Sequence, residues 1–157
     1  MSRAFTREDD NDDALAGIGE RPVSPHRNLV TARGLAQIDE VISGLREELA
    51  KAEAGSDRQR IAVLSRDLRY WSTRRENAEL SEPDPDSDVV RFGMTVTIED
   101  QDGKHKAWKI VGEDEADAAK GSVSHVSPMA QALFGKTTGE LAVVNGKEWE
   151  IVRMKAD

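Results

Sequence analysis

Four carboxylates crowd one short stretch of this sequence, Glu113, Asp114, Glu115 and Asp117, in the run Ile110-Val-Gly-Glu-Asp-Glu-Ala-Asp117. Clusters of this kind hold hard divalent cations, and Ca²⁺ takes about 6–8 oxygen ligands from a loop whose donors recur at regular spacing. Here the regular spacing and the terminal bidentate glutamate of an EF-hand are missing. The run therefore reads as a solvated, Gly-bounded loop. The three histidines, His26, His105 and His125, show no ligand spacing and read as surface or strand residues. With no cysteine in the chain, disulfides and thiolate metal sites are excluded. Ser127-Pro128-Met129 is a helix start: Ser127 can accept from a free first-turn N–H, Pro128 fits the first helical position, and Gly135 supplies the positive φ that ends the helix.

The elements that position these groups follow from periodicity. Thr31 is a plausible cap, and Leu35, Ile38, Ile42, Leu45, Leu49 and Ala52 then recur at spacings of 3 and 4, a heptad seam flanked by Asp39, Glu40, Glu47 and Glu48. Gly55-Ser56-Asp57 interrupts the pattern, which resumes at Ile61, Leu64, Leu68 and Trp71 and reaches Arg75 and Ala78. Two helices of about 22 residues, each near 33 Å, make an antiparallel hairpin. Arg75 is the one charged seam position, its stem packed and its guanidinium reaching outward. Arg58, Arg60, Arg66, Arg69 and Arg74 either pair with the acidic flank of the first helix or form a basic stripe.

After the Pro-rich, acidic linker Ser81 to Ser87 the period changes to two. Met94, Val96 and Ile98 alternate with polar residues, Asp102-Gly103 makes a turn, and Trp108 and Ile110 return on one face. A strand near Val123, the capped helix, and two strands around Asn145-Gly146 complete the domain. The expected fold class is α+β: an N-terminal antiparallel helical hairpin (coiled coil) followed by an antiparallel sheet domain with one short helix. Expected boundaries are a disordered acidic tail at 1–28, the hairpin at 29–80, the linker at 81–87 and the sheet domain at 88–157. Within the tail, Arg21 to His26 reads as an extended lead-in to the folded part.

Charge distribution bounds the partners. Residues 1–27 carry 4 basic and 6 acidic side chains, 28–80 carry 9 and 9, and 81–157 carry 9 and 15, for a net −8. Such a chain is poorly suited to neutralising nucleic-acid phosphates, so a protein partner is expected. No apolar run approaches the ~20 residues of a membrane span and the start lacks a secretory core, which points to the cytoplasm and to no membrane partner.

The wording Ile110-Val-Gly-x-Asp/Glu-Glu, Val123-Ser, Ser127-Pro-Met-Ala-x-Ala-Leu-x-Gly-Lys136 and Glu140-Leu-Ala-Val-Val-Asn145 resembles the C-terminal domain of the GreA/GreB transcript-cleavage factors, on the GreB side. Val30-Thr-x-x-Gly34-Leu and Asp67-Leu-Arg-Tyr-Trp-Ser-Thr-Arg-Arg-Glu-Asn77 are similar to the family's helical arm, so the resemblance covers roughly Val30 to Met154. It implies an FKBP-like sheet domain and RNA polymerase as partner, with nascent RNA or DNA touched only indirectly. The polymerase-facing residues it implies are Asp114, Glu115, Ser127, Pro128 and Met129, with Val126 standing where an aspartate is expected. It also implies a hairpin inserted in the secondary channel whose acidic tip helps hold a Mg²⁺ shared with the polymerase, there being no cofactor of the factor's own.

The family's tip reads Gly-Asp, two residues, then Glu-Asn-Ala. Here it reads Gly55-Ser-Asp57-Arg-Gln-Arg60-Ile-Ala62. Asp57 matches the aspartate and is the one weak metal candidate. Arg60 stands where the glutamate belongs, and Glu53 lies on the other side of the turn. Both arms are also shorter than the cleavage factors' by about 8–10 residues, roughly 12–15 Å of reach. The expectation is a Gre-family elongation regulator with cleavage stimulation in doubt and no enzyme activity of its own. The alternative is a non-catalytic competitor for the channel, of the nucleoside-diphosphate-kinase-regulator (Rnk) type. Prolyl isomerase activity is a weak third reading, since fold does not carry function and few aromatics are present to line a proline pocket.

Overall fold

A computed structural model describes residues 18–156. The expectation of a disordered tail lies for its greater part, residues 1–17, outside the described residues. The chain divides into two compact units. One combines residues 18–25 with 38–77, and the other combines 26–37 with 78–156.

The first unit is the helical hairpin. Helix α1 (Ala32–Ala54), whose opening residues to Gln37 belong to the second unit, and helix α2 (Arg58–Glu76) are joined by Gly55-Ser56-Asp57. Ser56 adopts φ 52° at the bend, and Asp57 N–H donates to Ala52 O at 3.0 Å. The seam is real: Ile38, Ile42, Ala52 and Leu64 are buried, with Leu45, Leu49, Ile61, Leu68 and Trp71 half-buried beside them. Each fully buried Ile or Leu contributes roughly 1.5–3 kcal/mol. Arg60 Nη2 to Glu48 at 2.6 Å and Arg75 Nε to Asp39 at 2.7 Å tie the helices with residue numbers falling in one as they rise in the other, which makes the pair antiparallel.

Two expectations for this unit are corrected. Arg75 is exposed, and its neighbour Arg74, only 1% accessible, is the arginine carried inside. Heptad drift does not explain this, since it amounts to only about 40° over the two repeats from Ile61 to Arg75 against about 100° between neighbouring residues, so Arg74 is buried outside the Ile61–Leu68 seam. The tail expected to be disordered ends before residue 28: the expected extended lead-in from Arg21 lies along α2, the Arg21 guanidinium 4.0 Å from the centre of the Tyr70 ring and 3.4 Å from Asp67, and Glu20 before it accepts from Arg69 Nε at 2.9 Å. The arginines thus split their partners, Arg60 and Arg75 to helix α1, Arg69 to the lead-in, Arg66 to Asp67 beside it.

In the second unit β1 (Asn28–Val30) pairs in parallel with β2 (Ala78–Leu80), so Ala78 is a strand residue and not the end of the seam. The main sheet has five strands: β3 (Thr95–Glu99), β4 (His105–Val111), β5 (Ser122–Ser124), β6 (Leu141–Val144) and β7 (Lys147–Lys155), in the order β5-β4-β3-β7-β6. Both two-residue turn signals hold: Gly103 has φ 80°, and Asn145 and Gly146 have φ 52° and 77°. The β3–β7 register shifts by one between Thr97, opposite Arg153, and Ile98, opposite Ile151, leaving Val152 of β7 as the extra residue of a bulge.

The sheet is mixed where an antiparallel one was expected, because β5 runs parallel to β4. A tight hairpin would reverse the chain. Here a crossing loop that ends in a 3₁₀ turn (Ala118–Lys120) and Gly121 at φ 84° carries it back to Lys109, to start again in the same direction. Helix α3 (Pro128–Leu133) buries Ala130 and Leu133 into the core formed by Val90, Phe92, Val96, Ile98, Trp108, Ile110 and Ile151.

Candidate functional site

At the hairpin tip, the Asp57 side chain accepts from Arg60 N at 3.1 Å and caps helix α2. The Arg60 guanidinium three residues on is engaged with Glu48, which sits below its ordinary pKa through that hydrogen bond and the charge of Lys51. Glu53 is exposed on the last turn of α1. A two-metal site needs carboxylate oxygens close together and open toward the ion. Here the one matching carboxylate is turned to a backbone N–H, with a cation in place of the second. Among the described residues no three His, Asp or Glu side chains gather to hold a metal ion.

In the sheet unit the acidic loop is built differently from a solvated run. The Glu115 carboxylate accepts from Thr31 N at 3.1 Å, from Gly112 N at 3.1 Å, and from the Thr31 hydroxyl. Thr31 in turn caps α1, its Oγ1 accepting from Gly34 N at 3.0 Å. A negative charge at the opening of a helix is favoured by the unsatisfied N–H groups there. Gly34 is what makes room: a Cβ on it would lie 2.1 Å from Glu115 Cδ. Glu115, one of the implied polymerase-facing residues, therefore has an internal structural duty that the sequence pattern did not reveal. Asp117 caps the 3₁₀ turn, accepting from Ala119 N at 3.1 Å. Asp114, just before Glu115, is half-buried.

The loop leaves the sheet at Val111, which pairs with Ser124 and accepts from His125 N at 2.9 Å. Its root thus lies beside the start of α3. There Ser127 accepts from Ala130 N at 3.2 Å, Pro128 occupies the exposed first position, and Met129 packs partly on the core. His125, expected on the surface or in a strand, is 7% accessible in the turn before α3, with its ring edge-on to Phe92 at 5.6 Å between centroids. The structure brings Ser127, Pro128 and Met129 into one short capped helix next to the acidic loop. Asp57 and Glu53 belong to the other unit. No helix among the described residues is long and apolar enough to cross a membrane.

A helical hairpin followed by this sheet and capped helix finds its class in sequence comparison. Residues 84–155 match the family model described as transcription elongation factor, GreA/GreB, C-terminal. The chain belongs to the GreA/GreB transcription elongation factor family. It is 40% identical over 111 residues to the transcription elongation factor GreA of Bradyrhizobium diazoefficiens, spanning 68% of this chain and 67% of that protein. It is 39% identical over 117 residues to the GreA of Nitratidesulfovibrio vulgaris, spanning 71% and 72%. The match to the GreA of Rhodopseudomonas palustris is 48% over 73 residues and spans less than half of that protein, 46%. Among solved structures it is similar to Gfh1 of Thermus thermophilus, with 17% identity, a TM-score of 0.40, and coverage of 82% of this chain and 99% of that one. A GreA/GreB factor from Nitrosomonas europaea gives 18% and 0.38, covering 82% and 98%.

Proposed function

We propose that this chain binds bacterial RNA polymerase at the secondary channel and regulates elongation without stimulating transcript cleavage. Membership of the family supports the polymerase as partner. The observation that carries the rest is the tip: Asp57 is spent on capping α2, and Arg60 presents a cation where a second carboxylate would be required. With helices of 23 and 19 residues, roughly 35 and 29 Å long, the arm enters the channel but supplies nothing to clamp a catalytic metal. The chain then acts as a competitor, of the Rnk type, for a channel that cleavage-active factors also use. The face formed by Asp114, Ser127, Pro128 and Met129 docks on the channel rim, Glu115 holding the loop in place. Nascent RNA or DNA is approached only through the polymerase.

The test is competition. Purified chain added to core polymerase carrying a labelled cleavage-active Gre factor displaces the label, and Pro128→Glu with Met129→Glu reduces that displacement at least tenfold while leaving the hairpin folded. Failure of the unmodified chain to displace the factor at any concentration overturns the reading.

A further inference from the structure

The sheet unit carries a cleft of about 290 Å³ whose cationic lining has no role in the docking face described above. Three cations line it from three separate elements: Arg33 from the start of α1, Lys109 from β4, and Lys120 from the 3₁₀ turn. Among the described residues none of the three makes an ion pair or a side-chain hydrogen bond. In a chain of net charge −8, holding three unpartnered cations on one concave surface opposes the overall balance. The two carboxylates at the rim do not quench them directly, because Glu115 is turned to Thr31 and Gly112 and Asp117 to the N–H of Ala119. Since the Thr31 N–H and hydroxyl are already taken by Glu115, the charged donors available in the cleft are the three cationic side chains, with the Gln37 amide beside them.

We propose that this cleft binds a small oligophosphate, recognised through its phosphates alone. One carboxylate or single-charge anion meets only one such cation at a time, whereas a diphosphate presents several charged oxygens to all three, and charge-assisted hydrogen bonds of this kind are the strong ones. A concave site also concentrates the field of its charges. Val111 is the sole large apolar side chain in the lining and no aromatic ring is present, so a nucleobase has nothing to stack on. Free diphosphate and the phosphate tail of a nucleoside triphosphate are therefore equivalent to the site.

Titration of the full chain with sodium diphosphate at fixed ionic strength and without divalent metal, followed by amide NMR, tests this. Saturable shifts at Lys109, Lys120 and Ser122 are expected. Affinity falls at least tenfold in the Arg33→Gln, Lys120→Gln double variant, whose thermal midpoint is unchanged because neither side chain has a partner to lose. Lys104→Gln, outside the cleft, leaves affinity unaltered. ATP binds within about threefold of diphosphate and adenosine not at all. The proposal fails if diphosphate gives no saturable shift, if the double variant binds equally, if adenosine binds, or if a short single-stranded RNA occupies these residues where diphosphate does not.

Discussion

Replacing a helical glycine by alanine ordinarily stabilises a protein, by up to about 1 kcal/mol in a helix interior, yet Gly34→Ala in α1 is expected to do the opposite. The three nearest atoms to its added Cβ are Cδ, Oε2 and Cγ of Glu115, at 2.1, 2.3 and 2.5 Å, so the carboxylate must leave. With it go the bonds from Thr31 N, Gly112 N and the Thr31 hydroxyl. A net hydrogen bond contributes roughly 0.5–1.5 kcal/mol, and because the displaced carboxylate is half-exposed and regains water the ordinary value applies, so three come to about 2–4 kcal/mol together. Set against the helix gain, Gly34→Ala loses about 1–3 kcal/mol. In a Glu115→Ala background the obstruction is gone, and the same substitution gains up to about 1 kcal/mol. Urea unfolding followed by fluorescence in a Trp71→Phe chain, where Trp108 and Trp149 both report on the sheet unit, reads the four corners of this cycle. Stabilisation by Gly34→Ala in the unaltered chain, or a coupling below about 0.5 kcal/mol, would refute the tie between the acidic loop and the helix opening.

Other perturbations separate neighbouring roles. Asp57→Ala removes the α2 cap and lowers hairpin stability by about 1 kcal/mol in thermal unfolding, without altering occupancy of polymerase in a pull-down. Arg74→Ala destabilises the hairpin by about 1–3 kcal/mol through loss of a buried side chain, whereas Arg75→Ala next to it, whose ion pair is exposed, changes urea stability by less than about 1 kcal/mol; equal losses would place the wrong arginine inside. Asp100 sits below the ordinary aspartate range, chiefly because Lys104 N–H donates to it at 2.9 Å, aided by Lys147 and the Asp102 N–H. A depressed folded-state pKa stabilises above the unfolded value and is lost as pH falls through the folded one. The stability advantage over Asp100→Asn is therefore full at neutral pH and fades only below the ordinary aspartate range, as acid titration of unfolding would show.

Much of this fold was legible because its signals are local. The 3/4 spacing from Leu35 to Ala52, the Asp102-Gly103 and Asn145-Gly146 turns, and the Ser127-Pro128 start each sit within a few residues, and each recurs in the structure at its place. What escaped depends on partners far along the chain. Three residues are too few to display a period of two, so the strands at Asn28 and Ala78 read as the two ends of the hairpin segment, the first straddling its border with the tail. The direction of β5 is set by how the loop crosses, which composition does not encode. Glu115 looked like one more loop acid, since its ligand Thr31 lies 84 residues away. The one available signal was Gly34 itself, a glycine in the first turn of a capped helix. At the tip the residues the proposal uses are visible in the sequence: Arg60 three residues after Asp57, and Asp57 itself at a cap position, where the structure has it accepting from Arg60 N.

The length of the RNA in backtracked elongation complexes, followed over time with the chain at saturating concentration, bears on the proposed role without intermediaries. The 3′ end stays intact in the presence of Mg²⁺, and a cleavage-active Gre factor added afterwards acts more slowly than on untreated complexes. Shortening of the transcript by this chain, abolished in Asp57→Ala, would contradict a tip that supplies no metal-binding carboxylate.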